Sequence, residues 1–153
     1  SNISMLAHIE LNRYVGNIMQ EYPAYSSKTV DGIQLHELAR AGNLPEEMPT
    51  KEVEIYSMEP IGSAGTIQKY SAPELHKIIR DKISLVQGDF RQEEILKRWD
   101  TILGDSDKVF DAIKLKVKCS SGTYMRSLAD RMGKDAGTGA FALSIKRTKI
   151  FMK

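Results

Sequence analysis

Little sulfur chemistry is open to this chain: its 153 residues hold one cysteine, Cys119, which excludes an internal disulfide. No cluster of Cys and His has the spacing of a zinc site, so no metal site is expected. Long apolar runs are missing as well. None approaches the roughly 18 residues that span a bilayer, and the opening residues lack the charged, apolar and small-residue regions of an export signal. A cytoplasmic protein with no membrane partner is expected. The chain also lacks a glycine-rich phosphate loop, a dinucleotide fingerprint and a serine-hydrolase elbow. His8, His36 and His76 are scattered, without a nucleophile or metal partner at a recognisable spacing, and read as structural or surface residues.

What is present suits a soluble globular domain: 41% hydrophobic and 27% charged residues, in a length that can bury a core. The net charge of +2 hides an asymmetry. Residues 1–107 carry 11 Lys and Arg against 17 Asp and Glu, whereas residues 108–153 carry 11 against 3. A basic C-terminal third attracts phosphates through counterion release. For "IKLKVK" alone, lysines solvating the outer face of a strand are the simpler explanation.

Leu11, Tyr14, Val15, Ile18 and Met19 recur at helical spacing, which predicts a helix over residues 5–20 despite Gly16. Pro23 pushes Glu21 and Tyr22 to extended geometry, and "EYPAYSSKTVDG" reads as a short strand ending at Asp31–Gly32. "IQLHELARAG" predicts a short helix with Arg40 in its last turn and Gly42 as its stop. "KEVEIYSMEPIG" alternates, so Val53, Ile55 and Met58 should face inward from a strand. Ser71 and Glu74 frame a capping box before the stripe Leu75, Ile78, Ile79, Ile83 and Val86. Asp89 and Gln92 offer a second cap before Ile95, Leu96, Trp99, Ile102 and Leu103. These stripes form a helical hairpin over about residues 65–106 and read as packing surfaces. "AIKLKVKC" alternates strictly, "YMRSLADRM" has helical spacing ended by "GKDAGTG", and "AFALSIKRTKIF" predicts a final strand. The order gives an α+β fold: a mixed or antiparallel sheet with flanking helices, plus the inserted hairpin.

Two stretches point to chemistry. In "CSSGTYMRSL", Ser120 or Ser121 can cap a helix and Gly122 permits a tight strand-to-helix corner. Arg126 then falls in the first helical turn, where the helix dipole disfavours a cation. Two readings stay open: Arg126 faces an external anion, carboxylate or phosphate, or it pairs with Asp130 one turn on. In "YPAYS", Tyr25 follows a proline on an extended segment. Its ring either stacks on a base, at about 1–3 kcal/mol, or packs in the core as most strand tyrosines do. Cys119 continues an apolar strand face and reads as a buried small hydrophobe.

Together, "GNIMQEYPAYSSKTVDGIQLHELARAGN" and "LKVKCSSGTYMRSLADRMGKDAGTGAFALSIKRTKIF" resemble the second half of the catalytic domain of the TruB family. That family comprises tRNA pseudouridine synthases that isomerise uridine 55 in the T loop. The resemblance covers roughly residues 9–60 and 111–151. Its signals are Q-x-x-P-x-Y-S leading to A-R-x-G, then C-S-x-G-T-Y-x-R-S-L.

The resemblance implies that Tyr25 is the tyrosine stacking on the target uracil, close to the proton removed from C5. It implies that Arg126 pairs with the catalytic aspartate, presented by a corner of Gly122 and Thr123. Ile145, in "LSIKR", matches the apolar residue lining the uracil pocket, and Arg147 in the same run is a candidate substrate-binding cation. Thr29 stands where the family usually has lysine, which makes Lys28 the other candidate cation. Gln20, Pro23, Ser26, Gly32, Arg40 and Gly42 match scaffold positions. The implied partner is the T stem-loop of tRNA, and no metal or organic cofactor is implied.

The departures are specific. The family's nucleophile lies in a G-H-x-G-T-L-D segment, and no such segment occurs in these 153 residues; Asp31, Asp105, Asp107, Asp111 and Asp130 sit in other contexts. The hairpin replaces a shorter connection, and the C-terminal RNA-binding domain of many members is not expected. The resemblance therefore implies a partial catalytic domain over residues 1–153, inactive alone and prone to self-association through an exposed sheet edge. The alternative is a non-catalytic RNA-binding module, a degenerate synthase.

Overall fold

The computed structural model describes residues 11–62, 67–86 and 91–148. They form two compact units, the first from residues 11–59 with 115–148 and the second from residues 60–114. Both mix strands and helices, so the α+β class holds, and their described strand pairs with known register are antiparallel.

The first unit opens with a single 3-10 turn, Leu11–Tyr14, followed by strand β1, Gly16–Glu21. The helix expected over residues 5–20 is therefore wrong from Gly16 onward; residues 5–10 lie outside those described. Gly16 adopts φ +112, a conformation a helix cannot use. From there the burial alternates, with Ile18 and Gln20 inward and Met19 outward. A polar residue at an inward position disguised the period of two.

β1 pairs antiparallel with the long strand β4, Thr50–Pro60, in the register Gly16↔Ile55 to Glu21↔Thr50. β4 lies between β1 and β7, Leu115–Cys119. As expected, Val53, Ile55 and Met58 of β4 are buried. Cys119 is half-buried against the core, with Leu115 and Val117, and not fully enclosed. Helix α4, Met125–Asp135, packs Leu128 and Met132 into the same core as Leu11, Tyr14, Ile55 and Met58.

Between β1 and β4 the expected single strand gives way to a turn and a small hairpin. Ser26 N–H donates to the Pro23 carbonyl at 3.0 Å, placing Tyr25 in a turn instead of an extended segment. Strands β2, Thr29–Val30, and β3, Ile33–Gln34, flank Asp31 at φ 52 and Gly32 at φ 82. This is the pair of positive φ values that a two-residue type I′ hairpin requires. Helix α1, Leu35–Arg40, follows, with Gly42 at φ 72 beyond its end, as the sequence predicted.

The second unit is a helical pair bracketed by strands. β5, Gln68–Ser71, pairs antiparallel with β6, Val109–Ala112, in the register Gln68↔Ala112 to Ser71↔Val109. Between them run α2, Ala72–Ser84, and α3, Gln92–Leu103. The Ser71–Glu74 capping box is complete: each side chain bonds the other's backbone N–H. Ala72, Leu75, Ile79 and Leu103 are buried, and His76 of α2 bonds Asp100 of α3. Of the second expected cap, Gln92 is the first residue of α3. Arg91, at φ 62, precedes α3 and its guanidinium grips Glu94, which holds that carboxyl below its ordinary range; Asp89 lies outside the described residues.

Two further expectations are corrected. "AIKLKVKC" is not one strand: β6 and β7 are separated at Ile113–Lys114, where the chain passes from the second unit to the first. No strand forms over residues 140–148, and 149–151 lie outside those described. Alternation marks a two-faced segment, but a strand also needs a neighbouring edge to bond.

Candidate active-site cleft

The corner at residues 119–126 is built by backbone bonding. Ser120 N–H donates to the Glu54 carbonyl at 2.8 Å, and Ser120 Oγ accepts from Glu54 N–H at 2.9 Å. Thr123 Oγ1 then donates to the Ser120 carbonyl at 2.8 Å, closing a turn in which Gly122 has φ +79. Neither Ser120 nor Ser121 caps α4; the residue before it is Tyr124, with no side-chain cap of its own.

The missing cap comes from β1. Gln20, only 5% exposed, accepts the Tyr124 N–H at 3.0 Å through Oε1 and donates to the Tyr124 carbonyl at 3.2 Å through Nε2. An amide carries its donor and its acceptor on separate atoms, so one side chain can hold both backbone groups of a single residue. Gln20 thereby fixes where α4 begins and where Arg126 stands. The sequence marked Gln20 as scaffold without showing this function, because its partner is 104 positions away.

Arg126 sits in the first turn of α4, as expected. The pair with Asp130 does not form. Asp130 instead bonds Lys134 at 2.8 Å, the favoured acid-before-base order, with the cation in the last turn. That bond raises the Lys134 pKa above its ordinary value. The other aspartate of the helix, Asp135, accepts the Tyr14 hydroxyl at 2.8 Å. Among the described residues no hydrogen bond or ion pair holds the Arg126 guanidinium.

An open cleft of about 930 Å³ lies over this helix start. Tyr25, Arg126, Ile145 and Arg147 all line it, although they come from three separate stretches of the chain. Tyr25 is 49% exposed and Ile145 51% exposed, so neither is a core residue. Lys28 does not line the cleft. Its ammonium stands 5.1 Å from the centre of the Tyr22 ring.

Gly133 guides the third stretch. A Cβ there would collide with the backbone of Gly139 and Ala140, and the Gly133 carbonyl accepts the Thr138 and Gly139 N–H groups at 3.1 and 3.0 Å. This close approach turns the chain back after α4 toward Ile145 and Arg147. Among the described residues, no group of three or more His, Cys, Asp or Glu is placed to hold a metal ion. No described helix is long and apolar enough to cross a membrane.

Residues 5–71 match a family model described as TruB family pseudouridylate synthase (N terminal domain). The chain is 29% identical over 140 residues to tRNA pseudouridine synthase B of Parabacteroides distasonis, covering 92% of this chain and 40% of that protein. It is 27% identical over 139 residues to the protein of the same name from Francisella tularensis subsp. novicida, covering 91% and 31%. The corresponding Corynebacterium jeikeium protein is 27% identical over 135 residues, covering 88% and 31%. The family model takes in the Tyr25 stretch, and alignments of this extent take in the Arg126 stretch too. The chain spans about a third of the length of these relatives.

Proposed function

We propose that the chain, whose residues 5–71 match the TruB family model, forms part of a tRNA pseudouridine synthase acting on uridine 55 of the T loop. One observation carries the reading: Tyr25, Arg126, Ile145 and Arg147 line a single cleft in which Arg126 has no carboxylate partner among the described residues. Such a cation at a helix start suits an anion brought from outside.

In the proposed reaction the target uridine leaves the loop stack and enters the cleft. Extrusion costs a few kcal/mol, and stacking on Tyr25 offsets part of it. A carboxylate bonds the nucleotide and the N1 glycosidic bond breaks; the uracil turns, C5 bonds the ribose as the carboxylate is released, and the C5 proton leaves near Tyr25 while N1 takes one up. Arg126 orients and stabilises that carboxylate, Ile145 contributes the apolar wall, and Arg147 meets the RNA backbone. The nucleophile is not supplied by these residues. Asp130 and Asp135 are engaged by Lys134 and Tyr14, and no G-T-L-D segment occurs in the sequence.

Incubating the purified chain with a T-stem-loop RNA tests this. The expected result is binding without pseudouridine formation; robust turnover by these residues alone would overturn the assignment of the nucleophile.

A further inference from the structure

Beside the cleft, two lysines from different elements gather on one aromatic ring. Lys28 Nζ is 5.1 Å and Lys51 Nζ 5.3 Å from the centre of Tyr22, and Lys51 Nζ is also 4.9 Å from the centre of Tyr124. The two rings meet edge to face at 6.2 Å. Glycine makes the seat possible, since a Cβ at Gly122 would collide with Lys51 Nζ.

The charge balance of this cluster is one-sided. Lys51 lies on the face of β4 that carries the buried Val53 and Ile55, while its acidic neighbours Glu52 and Glu54 point to the other face. Among the described residues neither Lys28 nor Lys51 pairs with a carboxylate. The rings hold both ammonium groups by cation–π attraction, but they do not neutralise them. Two like charges held on one ring are relieved by an anion that touches both. Tyr124 lines the cleft as well, and Tyr22 stands three residues before Tyr25, so the cluster adjoins the cleft.

We propose that Lys28 and Lys51, seated on Tyr22, bind a backbone phosphate of single-stranded RNA whose neighbouring nucleotide occupies the cleft. The inference rests on the proposed RNA-binding cleft and adds a second phosphate contact distinct from Arg147. Ammonium groups serve as point charges for a phosphodiester, and the flanking rings suit an unpaired strand, whose bases can stack. Lys28 has a place here that its absence from the cleft lining would not suggest.

The test is the salt dependence of T-stem-loop binding by the full chain and its Lys28→Gln, Lys51→Gln and doubly substituted variants. Each phosphate contact contributes about 0.7 to the slope of log affinity against log salt for single strands. Because both lysines meet one phosphate, the double substitution should flatten the slope by about that amount and each single one by part of it, and Lys28→Arg should retain it. A lysine with a merely structural role would leave the slope unchanged. Lys28 is exposed, so its variants carry the test even where Lys51→Gln unfolds. An unchanged slope in the double variant, with Tyr25→Ala and Arg147→Ala still weakening binding, overturns this inference alone. Failure of the unsubstituted chain to bind RNA overturns both this inference and the cleft reading.

Discussion

Gln20 concentrates much of the site's architecture in one side chain, and that makes it a sensitive residue to change. Gln20→Leu keeps the volume but leaves the Tyr124 N–H without its partner, while the Tyr124 carbonyl keeps the Leu128 N–H alone. Each unsatisfied buried group costs about 1–3 kcal/mol, so the urea midpoint should fall by a matching amount with an unchanged slope. A loss under about 0.5 kcal/mol would mean that water replaces the clamp. Tyr14 carries a pH signature. Burial first, and then its bond to Asp135, push its hydroxyl up to about 12 from an ordinary value of 10. As pH rises, the unfolded chain releases this proton before the folded one does. The stability contribution is therefore full below pH 10 and is lost between about pH 10 and 12. Tyr14→Phe should flatten that alkaline limb in a denaturation series; an unaltered limb would assign the loss to other groups.

Among the elements, those whose local signals agree with their surroundings were legible from sequence. The Ser71–Glu74 box, the Asp31–Gly32 turn, the alternation of β4 and the spacing of α4 each state one structure, and each formed. The failures have physical causes. β1 read as helix because buried Gln20 interrupts its apolar alternation. β5 and β6 passed unnoticed because Gln68–Ser71 and Val109–Ala112 are short, with no fully buried residue to set a period. The residues lining the cleft were named from the family resemblance, but the Tyr22–Lys51–Tyr124 cluster was not, since register and not spacing assembles it. Two element-level outcomes follow. Ser71→Ala removes the cap of α2 and should cost about 1 kcal/mol, read as a lower thermal midpoint; no change would mean Glu74 alone holds the helix start. Gly133→Ala forces a Cβ into backbone that cannot yield, so it should destabilise the chain and displace the stretch bearing Ile145 and Arg147. Wild-type stability together with wild-type RNA affinity would contradict that placement.

At the scale of the molecule, the chain carries a net charge of +2 and an open cleft within its first unit. Within the three-stranded sheet, β1 and β7 are the outer strands among the described residues. We expect such edges to pair between copies at high concentration, so sedimentation should reveal a concentration-dependent dimer; a monomer throughout would show that the edges are covered. The acidic 1–107 and basic 108–153 stretches predict RNA binding that weakens steeply as salt rises. The central claim is that the cleft receives an extruded uridine between Tyr25 and Arg126. Its most direct test is the equilibrium affinity for a T-stem-loop RNA, compared between the unaltered chain and Tyr25→Ala. Loss of a stacked base costs about 1–3 kcal/mol, or roughly 5- to 150-fold in affinity. The account predicts a loss in that range, smaller when the target uridine is made abasic. Equal affinity of the two proteins for the intact RNA would contradict it.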